Sequence, residues 1–399
     1  MKILEINKFN YLRRGAERHF LELQDILEKN GHQVAIFAMD HPENKTSTWN
    51  KYFVSYVDYG EKSSLWIKIK GILTRFYSFE AKRKIKKLLN DFQPDIVHIH
   101  NIYHQISPSI LKEIKKQGIP IIMTVHDSKL IYPNYAPNKE KDDISNYKFW
   151  DFVINKKFKN SLIKSFLIAL EFELSRYFNL YDKYIDLYLS PSSFMKGKLI
   201  EEGINPSKII VLPHFSIIQT PNERSAIFLK EKYVFHYGSL SKEKGVDRLI
   251  EIFKELPEIN LYLAGKIEGN LNIPEFSNIK YVGFKSPKEI ERLIKNSLLV
   301  VSASNLWETF GLVALETILN GKPFIGFSGM AFEEIVKDNH SGFLVENEAE
   351  MKEKIKLLAQ DEGLRVLFGR NALESSKLFN PEAYYDKLIT IFDSLINKK

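Results

Sequence analysis

The chain has no cysteine among its 399 residues. Disulfide staples, thiolate nucleophiles and zinc-thiolate centres are therefore excluded, and a reducing cytoplasm is compatible with the composition. No apolar run reaches the ~18 residues that a membrane-crossing helix requires. The opening MKILEI also lacks the zones of an export signal, so a soluble, unexported, cytoplasmic chain is the expectation. No Asp-x-Asp stands at the end of an apolar strand, and no His and carboxylate set shows metal-ligand spacing, so neither metal nor cofactor is expected. A G-x-G-x-x-G turn after the first apolar run is missing too, which argues against nicotinamide chemistry.

What is present is apolar and basic. At 44% hydrophobic and 13% aromatic, the chain can fill two interiors, and its length suits two domains better than one. The net charge of +7 is uneven: residues 1–212 hold 33 Lys and Arg against 24 Asp and Glu, a net +9, leaving −2 for the remainder. The basic residues gather in KIKGILTRFYSFEAKRKIKK (68–87) and KFWDFVINKKFKNSLIKSFLIALEF (148–172), interleaved with aromatic and aliphatic side chains. Such segments suit an anionic membrane surface, where each basic residue contributes about 1 kcal/mol. The plainer reading is a set of solvated basic helix faces. No nucleic-acid-binding motif accompanies the charge, so nucleic acid is not an expected partner.

Short Ile- and Val-rich runs alternate with helical stretches. MKILEI, HQVAIFAM, DIVHIHN, IPIIMTVHD and DLYLSPS form one series, and YVFHYGS, INLYLAG, IKYVGF, LLVVSAS, PFIGF and GFLVE a second. Near-continuous apolar strands separated by helices predict parallel sheets covered on both faces, an α/β class with two doubly wound domains. The mixed segment VLPHFSIIQTPNERSAIFLK reads as a linker, giving domains at 1–212 and 213–380. Residues 381–399 read as a C-terminal amphipathic helix that starts at Pro381 and returns toward the first domain. Ligands of such sheets bind at the carboxyl ends of the strands, so two facing domains would form a cleft.

The segment ETFGLVALE (308–316) then becomes informative. Glu308 falls in a strand-to-helix loop, and FGLVALETILN reads as a helix whose first free N–H groups belong to Phe310, Gly311, Leu312 and Val313, a ready phosphate site. Glu316 would lie about 9 Å further along the axis. A nucleotide sugar fits that spacing, with sugar hydroxyls at Glu308, diphosphate at the helix start and ribose at Glu316. Other strand ends add candidates. Gly15 opens a helix after the first strand, His126 and Asp127 end IPIIMTVHD, and Gly238, Ser239, Lys242 and Lys244 follow YVFHY. Lysines beside a helix start can neutralise a diphosphate.

These motifs, in this order, resemble glycosyltransferase family 4, retaining nucleotide-sugar transferases of the GT-B fold. RGAERHFLEL, DIVHIHN, GIPIIMTVHD, YGSLSKEKGVDRLIEIF, SNLWETFGLVALETILNGKPFIGF and EEIVKDNHSGFLV carry the resemblance over nearly the whole chain. It implies an N-terminal acceptor domain and a C-terminal nucleotide-sugar domain. It further implies that Glu308 contacts the donor sugar, that Glu316 binds ribose, that backbone groups of Thr309 to Val313 meet phosphates and sugar, and that His126 touches the transferred sugar. Two departures stand out. The family usually has Gly-Gly where this chain has Arg14-Gly15, and an arginine where Ser239 stands. Lys244 remains the matching cation for the diphosphate, with Arg14 a candidate replacement for the missing one.

The implied chemistry is metal-free transfer with retention, in which Lys244 and the helix start hold the leaving diphosphate and its freed oxygen takes the acceptor proton. Glu308, His126 and Lys244 are the expected catalytic residues. Arg14, Asn101, His104 and Tyr132 are expected to bind the acceptor. The basic, aromatic first half suggests a glycan or lipid-linked acceptor at the inner face of the membrane, as in polysaccharide or lipopolysaccharide assembly. The alternatives are a soluble acceptor, a non-catalytic sugar-nucleotide-binding partner, or a GT-B-type epimerase.

Overall fold

The computed structural model describes residues 1–56, 77–103, 106–217 and 231–397. His104, residues 68–76 of the first basic segment, and residues 218–230 of the expected linker lie outside them. The chain divides into two compact units. The first comprises Met1–Tyr135, Asp142–Pro213 and Glu382–Lys399, and the second Ala136–Lys141 and His214–Pro381.

The main sheet of the first unit is built from β1 (Lys2–Ile6), β2 (Gln33–Phe37), β5 (Ile96–Ile99), β6 (Ile121–Thr124), β7 (Leu187–Ser190) and β8 (Ile209–Val211). All pairs are parallel, in the order β2-β1-β5-β6-β7-β8. Every residue of β5, β6 and β7 is buried, as expected where both faces of a sheet are covered. A small parallel pair, β3 (Met39–Asp40) and β4 (Val54–Ser55), lies apart from it. The helices are α1 (Gly15–Lys29), α2 (Phe79–Phe92), α3 (Ser109–Lys116), α4 (Phe149–Ile154), α5 (Leu162–Tyr177) and α6 (Ser193–Glu201). Helix α1 buries Phe20, Leu23 and Leu27, spaced for one helical stripe.

The second unit holds β9 (Tyr233–Tyr237), β10 (Asn260–Ala264), β11 (Ile279–Gly283), β12 (Leu299–Ser302), β13 (Phe324–Phe327) and β14 (Gly342–Val345). They run parallel in the order β11-β10-β9-β12-β13-β14. Its helices are α7 (Val246–Lys254), α8 (Pro287–Asn296), α9 (Leu312–Leu319), α10 (Glu348–Gln360) and α11 (Glu362–Ser376). The last helix, α12 (Pro381–Ile396), starts at its proline and buries Tyr384, Leu388 and Phe392 one turn apart. From Glu382 onward it belongs to the first unit.

Both sheets reverse strand order at their first strand, between β1 and β5 in one and between β9 and β12 in the other. In open α/β sheets the carboxyl end of that reversal is where ligands bind.

Candidate functional site

In the second unit the reversal is lined by the turn after β9 and the loop after β12. Gly238, with φ 126°, follows β9, and Ser239 beside it is half-buried. A Cβ on Gly265 would lie 1.7 Å from the Gly238 carbonyl oxygen, so the two turns can pack this closely only without a side chain at Gly265. The turn leading into α7 carries Lys244, whose Nζ donates to Glu308 Oε1 at 2.5 Å. Ser304 Oγ donates to the same oxygen at 2.9 Å. The loop bearing Glu308 is pinned on several sides. Asn305 N–H donates to Glu243 O at 3.1 Å, Trp307 N–H to Pro137 O at 3.0 Å and Lys139 N–H to Asn305 O at 2.6 Å. Residues Ala136–Lys141, which interrupt the first unit in sequence, thus run along this loop as part of the second.

Helix α9 starts two residues later than the run FGLVALETILN predicts. Gly311 caps it in the left-handed region at φ 100°, and the N–H groups of Ala314 and Leu315 both donate to its carbonyl. The free donors inside the first turn are therefore those of Leu312 and Val313, with the N-cap Gly311 just ahead of them. Phe310 instead anchors the loop: it is 3% exposed, with its ring centroid 5.1 Å from that of His214 and 6.0 Å from that of Phe379. A Cβ on Gly311 would sit 2.5 Å from the Phe332 ring. Thr309, between Glu308 and Phe310, is half-buried. Glu316 lies about 6 Å along the axis from Leu312, closer than the sequence spacing implied. Its Oε2 accepts from Tyr237 Oη at 2.6 Å, and the same hydroxyl lies 3.3 Å from Val313 O. The resulting site presents one cation, two carboxylates and two backbone donors at the carboxyl end of the sheet.

The first unit is organised differently. His126, two residues past β6, is half-buried and its Nε2 lies 2.7 Å from His100 Nδ1. Asp127 Oδ1 accepts from Lys129 N–H at 2.9 Å. Burial pushes the Asp127 carboxyl up to about 6; Lys129 opposes the shift and the charge of Glu17 adds to it. Gly15 is the first residue of α1, and the exposed Arg14 donates its backbone N–H to Glu17 Oε2 at 3.1 Å. Asn101 follows β5 and donates its N–H to Asn7 Oδ1 at 3.1 Å, while its own Oδ1 is buried without a hydrogen-bond partner among the described residues. Tyr132, expected to meet the acceptor, is instead a core residue. It is 1% exposed, its hydroxyl donates to Asp142 Oδ1 at 2.9 Å, and its ring packs on Tyr147 and Phe152.

The second basic segment forms α4, α5 and the turn joining them. Trp150, Ile154, Leu162 and Ile163 are each more than half exposed there, flanked by exposed Lys148, Lys156, Lys159 and Lys164. Among the described residues no helix is long and apolar enough to cross a membrane.

Several site residues escaped sequence reading. Ser304 and Tyr237 hold the two carboxylates, yet neither carries a motif signal of its own. The expectation that no His and carboxylate set shows metal-ligand spacing holds for neighbours in sequence but not in space: β1 and β5 bring Glu5, His98 and His100 together, with their ligand-type atoms within 4.8 Å of one another. DIVHIH did place two histidines on one strand face, but the carboxylate lies more than 90 residues away in sequence.

Two six-stranded parallel units, with this loop architecture in the second, are the architecture of GT-B glycosyltransferases. Residues 13–215 match the family model described as Glycosyltransferase Family 4, and residues 218–375 that of glycosyl transferases group 1. The chain belongs to glycosyltransferase family 4 and is a glycosyltransferase. Among its relatives is an uncharacterized 42.6 kDa protein in the cps region of Klebsiella pneumoniae, 24% identical over 81% of this chain and 84% of that one. An alpha-monoglucosyldiacylglycerol synthase of Streptococcus pneumoniae is 21% identical over 84% of this chain and 73% of its own length. Anabaena HepE, solved in complex with UDP-glucose, has a similar fold, with a TM-score of 0.66 at 17% identity over 99% of this chain and all of that one.

Proposed function

We propose that the protein is a retaining, metal-independent glycosyltransferase. It moves a sugar from a nucleoside-diphosphate sugar to a glycan or lipid-linked acceptor, in polysaccharide or lipopolysaccharide assembly at the inner face of the cytoplasmic membrane. The observation that carries the reading is the Lys244–Glu308 pair beside the α9 start, with Glu316 held by Tyr237 a turn further on. The diphosphate needs positive charge where it leaves. Lys244 and the N–H groups of Leu312 and Val313 supply it without a metal. Glu308, oriented by Ser304 and Lys244, accepts from sugar hydroxyls, and Glu316 accepts from ribose hydroxyls. Thr309, Gly238 and Ser239 complete the donor contacts through the backbone and one hydroxyl. No protein nucleophile is needed, because the departing phosphate oxygen can take the acceptor proton on the face where the new bond forms.

In the first unit, His126 is assigned to the transferred sugar, Gly15 to the donor, and Arg14 and Asn101 to the acceptor. The exposed apolar and basic hairpin of α4 and α5 supports an acceptor held at an anionic bilayer. Similarity to an alpha-monoglucosyldiacylglycerol synthase supports a lipid-linked acceptor, and the UDP-glucose in HepE supports a nucleotide-sugar donor.

The test is a product assay with a panel of nucleoside-diphosphate sugars, chelator present, and soluble or lipid-linked acceptors, reading the product's anomeric configuration by NMR. Acceptor-dependent transfer with the donor's configuration kept is the expected result. Inversion or a metal requirement contradicts the mechanism. Donor binding without turnover points to a non-catalytic partner, and donor isomerised without acceptor to an epimerase.

A further inference from the structure

A polar ladder runs along one face of three adjacent strands in the first unit. Glu5 of β1 is in register with His98 of β5, and His100, two residues on, projects to the same face. Glu5 Oε1 lies 3.0 Å from His98 Nδ1, and Glu5 Oε2 lies 2.9 Å from His100 Nε2. His98 Nε2 meets Thr124 Oγ1 of β6 at 2.7 Å, and His100 Nδ1 meets His126 Nε2 at 2.7 Å. Glu5, His98 and His100 are fully buried, and only the His126 end is partly open. Phe20, His19 and Phe392 pack over the ladder, and Tyr384 Oη lies 3.2 Å from His19 Nε2.

Apolar side chains would stabilise the middle of a sheet at least as well as a buried carboxylate and two imidazoles. Their presence in a line ending at one accessible ring therefore points to that ring. The direction of the hydrogen bonds follows from the charges. Burial raises the Glu5 carboxyl, but the two histidines outweigh it and hold it at about 2, so both its oxygens accept. His100 must then donate from Nε2. Burial lowers His100 to about 4, so its ring is neutral and Nδ1 is left as an acceptor. His126 can answer only by donating from Nε2.

We propose that Glu5, acting through His100, fixes the proton of His126 on Nε2 and leaves its Nδ1 as the acceptor that meets a sugar hydroxyl. Glu5 and His100 are positioning residues, and the functional half of this inference rests on the assignment of His126 to the transferred sugar. Which nitrogen carries the proton decides whether the ring accepts from or donates to a ligand hydroxyl.

The test is long-range ¹H–¹⁵N NMR of the full chain labelled in histidine, with Glu5→Gln and His100→Asn beside the wild type. Wild-type His126 should show a protonated Nε2 and an unprotonated Nδ1. Glu5→Gln places an amide donor in the ladder and should move the His126 proton to Nδ1 or give a mixture, with kcat down roughly 10- to 100-fold and donor KM changed far less. A wild-type ring protonated on Nδ1, or unchanged His126 signals and kcat in Glu5→Gln, overturns the proposal. Stoichiometric metal in the purified protein, bound by His98 and His100 nitrogens, overturns it in favour of a metal centre. If Glu5→Gln does not fold, the wild-type spectrum and His100→Asn decide. His126→Ala separates the two readings: undiminished turnover removes the assignment of His126 to the sugar, while the wild-type tautomer still tests the relay.

Discussion

The two units are both parallel, doubly wound sheets that reverse strand order at their first strand, but they build their switch points from opposite materials. In the second, backbone and glycine dominate: Gly238, Gly245, Gly265 and Gly311 all have positive φ, Lys244 meets Glu308 across short loops, and Glu316 is held by Tyr237. In the first, buried side chains fill the same place, with Glu5, His98 and His100 stacked behind His126. A site of backbone donors and flexible charges suits a phosphate that arrives and departs. A site with locked rings suits a group whose protonation must not wander. One fold thus holds two kinds of precision, and substitutions should separate them.

The largest effect is expected at Glu308. Glu308→Ala removes the carboxylate that orients the sugar and leaves Lys244 without its partner, and kcat/KM should fall about 10²- to 10³-fold in a transfer assay. Next comes a contrast of glycines. Gly311→Ala meets both a positive φ and the Phe332 ring and should cost about 3 kcal/mol or more in denaturant unfolding. Gly15→Ala in the first unit has no positive φ to satisfy and should cost less than about 1 kcal/mol. A smaller effect is expected at the hairpin of α4 and α5: a Trp150→Ser, Ile163→Ser double variant should bind anionic vesicles about tenfold more weakly while transferring to soluble acceptors normally. The smallest is a pH effect. Asp127 has its carboxyl raised from 3.8 to about 6, so its contribution to stability is intact below the lower value and lost as pH climbs through the higher. Asp127→Asn should therefore melt about 2–4 °C above wild type at pH 7.5, with the gap closing toward pH 4.

Much of this organisation was legible in the residues. LLVVSAS, PFIGF and GFLVE became β12, β13 and β14 because an apolar run between helices has one place to go in a parallel sheet. The start of α9 was misplaced because FGLVALETILN is apolar throughout, and only the conformation of Gly311 decides that Phe310 belongs to the core and not to the first turn. β8 was missed because Ile209–Val211 runs directly into a mixed, proline-containing segment. The Ala136–Lys141 excursion carries no periodic signal, since backbone hydrogen bonds hold it. Tyr132 was misassigned because distance along the chain from a strand end says nothing about which way a ring turns. The Glu5 ladder is a property of register between strands, and register is invisible until the strands are paired.

The central claim is a metal-free nucleoside-diphosphate site at the start of α9. Its most direct test is a thermal-shift panel of UDP, GDP, ADP, TDP and CMP with chelator present, on wild type and Glu316→Ala. One diphosphate at 100 times its dissociation constant should add about 2.7 kcal/mol to the wild type and nothing comparable to the variant. No stabilisation by any nucleotide, stabilisation only when metal is restored, or an equal response from Glu316→Ala would contradict the account.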